Sequence, residues 1–151
     1  MQQIEIKYIY SAGLLVSEKP VMMNTVLGSC ISVCLWDKSK KIGGMNHFML
    51  PFWNGNGLAS PKYGNIAMQQ LIDKITGMSC KHEDLVAKVF GGARMLREQS
   101  AYFDIGRRNI DLAIRSLKDE NIPVIASSTG GDKGRKIFFN TSTGEVLLKY
   151  L

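Results

Sequence analysis

Ile4, Ile6, Tyr8 and Tyr10 alternate with Glu5 and Lys7, the period of a half-buried strand. Pro20 ends what precedes it, and Val21 to Leu27 reads as a second strand. Gly28-Ser29 interrupts that run. Ile31 to Trp36 is apolar at successive positions, which predicts a central strand covered on both faces. The polar stretch Asp37 to Lys41 is a turn, and Ile42 to Leu50 returns as a strand containing Gly43-Gly44, so a hairpin is expected. Pro51 to Gly64 is a Gly-, Pro- and Asn-rich loop. Asn65 is placed to cap a helix carrying Ile66, Met68, Leu71, Ile72 and Ile75, with Gly77 as its stop. Leu85 to Phe90 is a strand. Ile110, Ala113, Ile114 and Leu117 mark a second helix, ended by Asn121 and Pro123. Val124 to Ala126 is a short strand. Lys136 to Phe139 and Glu145 to Leu151 form a terminal hairpin around Ser142-Thr143-Gly144.

About eight strands and two helices predict an α/β chain of mixed α+β type. Its mixed β-sheets pack together with the helices outside, unlike a doubly wound sheet. At 151 residues a single domain, 1–151, is expected. An apolar share of 45% with 21% charged residues is ordinary for a soluble globular protein. No apolar run reaches the length of about 18 residues needed to span a membrane, and the alternating start is unlike a secretory signal. Three cysteines make a poor disulfide framework, so reduced thiols and a cytoplasmic location are expected. The net charge of +6 is scattered, with a short cluster at Lys38, Lys40 and Lys41. Without a basic patch interleaved with aromatics, nucleic-acid binding is not expected.

The stretch Thr25 to Asp37, TVLGSCISVCLWD, holds two of the three cysteines. On one extended strand Cys30 and Cys34 lie about 13 Å apart, too far to share a zinc ion. Cys80 and His82 have no second pair to complete a ligand set, so a metal site is not expected. Cys34, among Val33, Leu35 and Trp36, reads as a small buried hydrophobe. Cys30 differs, because it follows the Gly28-Ser29 break. Such a turn can expose a thiol and aim the backbone N–H groups of Ser29 and Cys30 at one oxyanion. With a loop centred near Ser39, position 30 pairs near 48, which brings His47 within one residue of the register needed to act as its base. VFGGA, Val89 to Ala93, is a turn or an anion-binding loop. STGG, Ser128 to Gly131, followed by Lys133 and Arg135, looks like a phosphate cradle but lacks the P-loop spacing.

The segments LGSCISVCLWD, GGMNHFMLP, KYGNIAMQQLI, AKVFGGARM, IGRRN and STGGDKGRKIFFNTSTGEV occur in this order from about Thr25 to Lys149. Together the chain resembles the CheD family, the chemoreceptor glutamine deamidases of bacterial and archaeal chemotaxis. The resemblance implies a fold similar to cysteine deamidase toxins. It implies hydrolysis of selected glutamine side chains of methyl-accepting chemotaxis receptors, through a cysteine thioester and with no cofactor. It also implies a partner, the CheC-type CheY-phosphate phosphatase. By position the catalytic cysteine falls on Cys30 and the histidine on His47. The third position falls on Thr25, five before the cysteine, with Asn24 as the alternative; neighbouring strand residues face opposite ways, so only one can serve. The loop from Pro51 to Lys62 and Gly91-Gly92 are candidates for the substrate rim, with Phe52, Phe90 and Met95 as substrate or partner contacts. The rival class is a non-catalytic module that binds and stimulates the phosphatase.

Overall fold

The computed structural model describes residues 3–94 and 104–151. Its strands are β1 (Glu5–Tyr8), β2 (Leu14–Ser17), β3 (Val21–Leu27), β4 (Ile31–Asp37), β5 (Ile42–Asn46), β6 (Leu85–Gly91), β7 (Val124–Thr129), β8 (Arg135–Asn140) and β9 (Val146–Tyr150); the helices are α1 (Gly64–Thr76) and α2 (Ile105–Asp119). Two sheets form, one ordered β1-β3-β8-β9 and the other β2-β5-β4-β6-β7. Both are mixed: β1 runs parallel to β3 and β7 parallel to β6, while the other pairs are antiparallel.

The sheets pack face to face, and the helices cover the far side of the five-stranded sheet. Alternation along β4 divides the two cores. Ile31, Val33 and Leu35 face the helices with Ala67, Met68, Leu71, Ile75, Leu112 and Leu117. Cys34 and the partly buried Cys30 and Trp36 face the other sheet with Met23, Leu27, Met45, Ile137 and Phe139. This double cover is why β4, the middle strand of five, reads as apolar on both faces.

Several boundaries differ from the sequence reading. β2 had no periodicity to announce it; it forms by pairing with β5, Leu14 opposite Asn46. Asn65 does not cap α1. Tyr63 precedes the helix, and the Asn65 Oδ1 accepts Trp53 N–H at 3.0 Å, which ties down the preceding loop. α2 begins five residues earlier than its apolar spacing suggests, at Ile105, because the Asp104 carboxylate accepts Arg107 N–H at 3.1 Å. The strand expected through Leu50 stops at Asn46, and that interruption builds the site.

Candidate active site

In β4 and β5, Asp37 pairs with Ile42 and Cys34 with Met45. At the next position the Asn46 side chain enters the ladder, its Oδ1 accepting Val33 N–H at 2.9 Å. Pairing resumes as a single bridge in which Ile31 and Phe48 exchange both backbone hydrogen bonds, at 3.0 and 2.9 Å. His47 occupies the gap. Its carbonyl accepts Ala12 N–H at 2.8 Å and its N–H donates to Gly13 O at 3.2 Å, so the turn between β1 and β2 holds it by the backbone.

The register is one residue from the expected one, since position 48 faces Ile31 and not Cys30. A slip of one residue reverses the face of every side chain. In the expected register His47 would have pointed away from Cys30. In the observed one, Cys30 and His47 share the face that looks into the layer between the sheets, as diagonal neighbours. No hydrogen bond joins the two side chains in this structure.

The imidazole is 3% exposed. Thr25 lies on β3, opposite Ile137 of β8, and faces the same layer. Its Oγ1 lies 2.6 Å from Ile9 O and 2.7 Å from His47 Nδ1. A carbonyl only accepts, so the single hydroxyl proton goes to Ile9 O. His47 must then donate Nδ1–H to Thr25. This fixes the tautomer and leaves the lone pair on Nε2. Asn24 points the other way, its Nδ2 donating to Lys7 O at 3.4 Å. The sequence reading missed Ser11, whose hydroxyl lies 3.5 Å from Nε2; nothing in its exposed turn announces it.

Burial pushes the His47 imidazole down to about 4, although an interaction with the Ile9 backbone opposes this. Burial also raises the Cys30 thiol, with its own backbone N–H pulling the other way. Both directions favour a neutral thiol beside a neutral imidazole. Cys34 is pushed up to about 12 and Cys80 to about 11, chiefly by burial, and both are core residues.

The turn carrying Cys30 is anchored by its carbonyls. Gly28 O accepts Ala93 N–H at 3.0 Å, Cys30 O accepts Gly92 N–H at 2.9 Å, and Ser29 O accepts Asn109 Nδ2 at 3.0 Å. No backbone carbonyl among the described residues accepts the N–H groups of Ser29 and Cys30. A turn pinned by its oxygens, with its N–H groups unspent, can receive an oxyanion. Gly91 and Gly92 are buried behind this turn, so they back Cys30 and do not form the expected rim. A methyl group at Gly91, whose φ is +108°, would collide with Cys30 O. Phe90 is also corrected as a surface contact: it is 6% exposed and belongs to the inter-sheet core. Phe52 is 57% exposed and lines a groove along α2 with Leu112 and Arg115. Met95 lies outside the described residues.

Asn109 is the second residue that sequence reasoning missed as part of the site, although it ends the IGRRN segment. It is fully buried on α2, and its Nδ2 donates to both Ser29 O and Met49 O at 3.0 Å, joining the Cys30 turn to the chain just past His47. Its burial and its two backbone partners come from tertiary packing and leave no mark in the sequence. Asn109→Ala removes the donor from two part-buried carbonyls and is expected to lower stability by about 1–3 kcal/mol for the two bonds together. Thermal unfolding checks this, with Tm expected to fall by roughly 2–4 °C per kcal/mol.

Comparison with known proteins gives consistent results. Residues 49–150 match the family model described as CheD chemotactic sensory transduction. A protein of Trichlorobacter lovleyi named probable chemoreceptor glutamine deamidase CheD is 51% identical over 141 residues, 93% of this chain and 88% of that one. A protein of the same name from Sulfurimonas denitrificans is 46% identical over 151 residues, 99% of this chain and 96% of that one. Among solved structures, the hypothetical protein YfiH of Bacillus licheniformis superimposes with a TM-score of 0.52 at 16% identity, over 76% of this chain and 49% of that one. That likeness concerns the fold alone.

Proposed function

The chain belongs to the CheD family, and from that premise we propose that it is a protein-glutamine deamidase, hydrolysing glutamine side chains of chemoreceptors to glutamate with release of ammonia. The observation that carries the mechanism is the Thr25–His47 pair, which leaves the Nε2 lone pair, with the Ser11 hydroxyl at 3.5 Å, on the face shared with Cys30.

Neutral His47 takes the Cys30 proton at Nε2 as the sulfur attacks the carboxamide carbon. Negative charge builds on the carboxamide oxygen and is met by the N–H groups of Ser29 and Cys30. The imidazolium, steadied through Nδ1–H by Thr25, protonates the departing amine, and ammonia leaves a thioester. Water then attacks, with His47 again the base, and the C–S bond breaks to give glutamate and the free thiol. The raised thiol and lowered imidazole favour proton transfer within the reaction over a resting thiolate–imidazolium pair. A phosphatase-docking module needs no such base, so the Thr25–His47 pair favours the enzyme. Its place of action is the cytoplasm, where the receptor substrate segment would lie; no helix among the described residues is long and apolar enough to cross a membrane.

The test is peptide mass spectrometry of a chemoreceptor cytoplasmic fragment incubated with the protein. Gains of about one dalton at particular glutamines are expected, and no gain with any of several receptors would sink the reading. Run across pH, the same assay reports the base. His47 must be neutral, so kcat/KM should hold through pH 6.5, the ordinary imidazole value, and fall only as pH drops toward about 4. An acid limb at 6.5 would mean that His47 is not the buried base described.

A further inference from the structure

Arg135, the first residue of β8, is 4% exposed and faces inward with Ile137 and Phe139. Its Nε donates to Ser128 Oγ at 3.0 Å, one terminal nitrogen to Lys133 O at 3.3 Å and the other to Gly130 O at 2.8 Å. The guanidinium carbon lies 5.4 Å from the Tyr150 ring centroid. All these partners are neutral, and no carboxylate among the described residues pairs with it. A guanidinium has five N–H donors, so two remain. A buried cation without a counter-charge is unfavourable unless an anion completes it. Beside it is a surface cavity of about 350 Å³, bounded by Gly130, Gly131, Asp132, Lys133 and Tyr150 as well as Arg135. Nothing approaches the positions where side chains of Gly130 and Gly131 would stand. Asp132 is the acidic member of this lining, exposed at its mouth and not paired with Arg135.

The cavity adjoins the active-site turn. Gly92 N–H reaches Cys30 O at 2.9 Å, Gly130 N–H reaches Gly91 O at 2.9 Å, and Arg135 pairs with Leu27, three residues before Cys30. Across β4, β6 and β7 the cavity is thus two strand spacings from Cys30, roughly 10 Å. We propose that the Arg135 cradle takes an acidic side chain of the receptor substrate, holding a carboxylate about 10 Å from the glutamine that reacts at Cys30. The proposal rests on the deamidase reading and deepens it. On a helical substrate that distance is roughly six to seven residues. A glutamine with no acidic residue so placed would be bound weakly, which gives a shallow site a means of refusing other glutamines. The net charge of +6 suits an acidic partner.

Lys133→Glu reverses the charge at the exposed lip without touching the bonds that hold Arg135. With the receptor fragment, KM should rise about tenfold or more while kcat stays within about twofold. The Kd of the fragment for protein carrying Cys30→Ala should rise by the same factor. A fragment whose acidic residues six and seven positions from the reacting glutamine are neutralised should lose a similar factor with wild-type protein, and little more with Lys133→Glu. Unchanged KM in either arm, additive losses, or a fall in kcat at constant KM would overturn the proposal. So would inorganic phosphate raising Tm while fragment affinity ignores Lys133→Glu, which would mark a free-anion site. Charge-dependent binding without deamidation would instead sink the deamidase reading and leave the cradle standing.

Discussion

Cys30→Ala is expected to abolish deamidation of a receptor fragment, by at least about 10⁴-fold in kcat, because no other group can carry the acyl intermediate. Its fold should survive. Cys30 is only partly buried at the edge of the inter-sheet core, and losing its sulfur should alter stability by no more than about 1 kcal/mol. Cys34 and Cys80 supply the contrast. They are 2% and 3% exposed, and burial holds both thiols far above neutral pH. Alanine at either should lower Tm while leaving most of kcat. The comparison separates chemistry from packing within one protein. If Cys30→Ala kept more than about a hundredth of wild-type activity, or if either core cysteine proved equally sensitive, the thioester route would be wrong.

The asymmetry among the cysteines was legible in the sequence because a Gly-Ser break precedes one of them and an apolar run surrounds the other. The central position of β4 was legible for a similar reason, since only a strand covered on both sides can be apolar at every position. The pairing of Cys30 with His47 was legible only to within one residue, and one residue decides the face. What set the register was the turn, where Asp37 pairs with Ile42 across Lys38 to Lys41; the Ile31–Phe48 bridge keeps that register past the Asn46 side chain. A loop centre displaced by half a residue leaves no periodic trace. The same holds for Asn109 and Ser11, which reach the site by tertiary packing from 80 and 36 residues away. The glycine pair at 91 and 92 was noticed as a turn, but its position behind Cys30 depends on the pairing of β6 with β4. Sequence reading therefore found the reacting groups and missed the parts that aim them.

Thr25→Val is expected to lower kcat by about 10²–10⁴-fold with little change in KM, while Asn24→Ala stays within a few-fold of wild type. Valine keeps the shape of threonine and removes the oxygen. Ile9 O then loses its donor and His47 Nδ1–H its acceptor, both in a buried layer, at a cost of about 1–3 kcal/mol in stability. The larger effect is on the tautomer. Without an acceptor at Nδ1, the imidazole proton can move to Nε2, and an Nε2–H cannot receive the thiol proton. A loss of packing alone would not separate these effects, so Thr25→Ser is the deciding variant. Its hydroxyl can still donate to Ile9 O and accept from Nδ1–H, and it should recover kcat to within about tenfold of wild type despite the lost methyl group. Asn24, facing Lys7 on the other side of β3, has no route to the ring. Equal loss in Thr25→Ser and Thr25→Val would make Thr25 a packing residue, and a large loss in Asn24→Ala would return the orienting role to its neighbour.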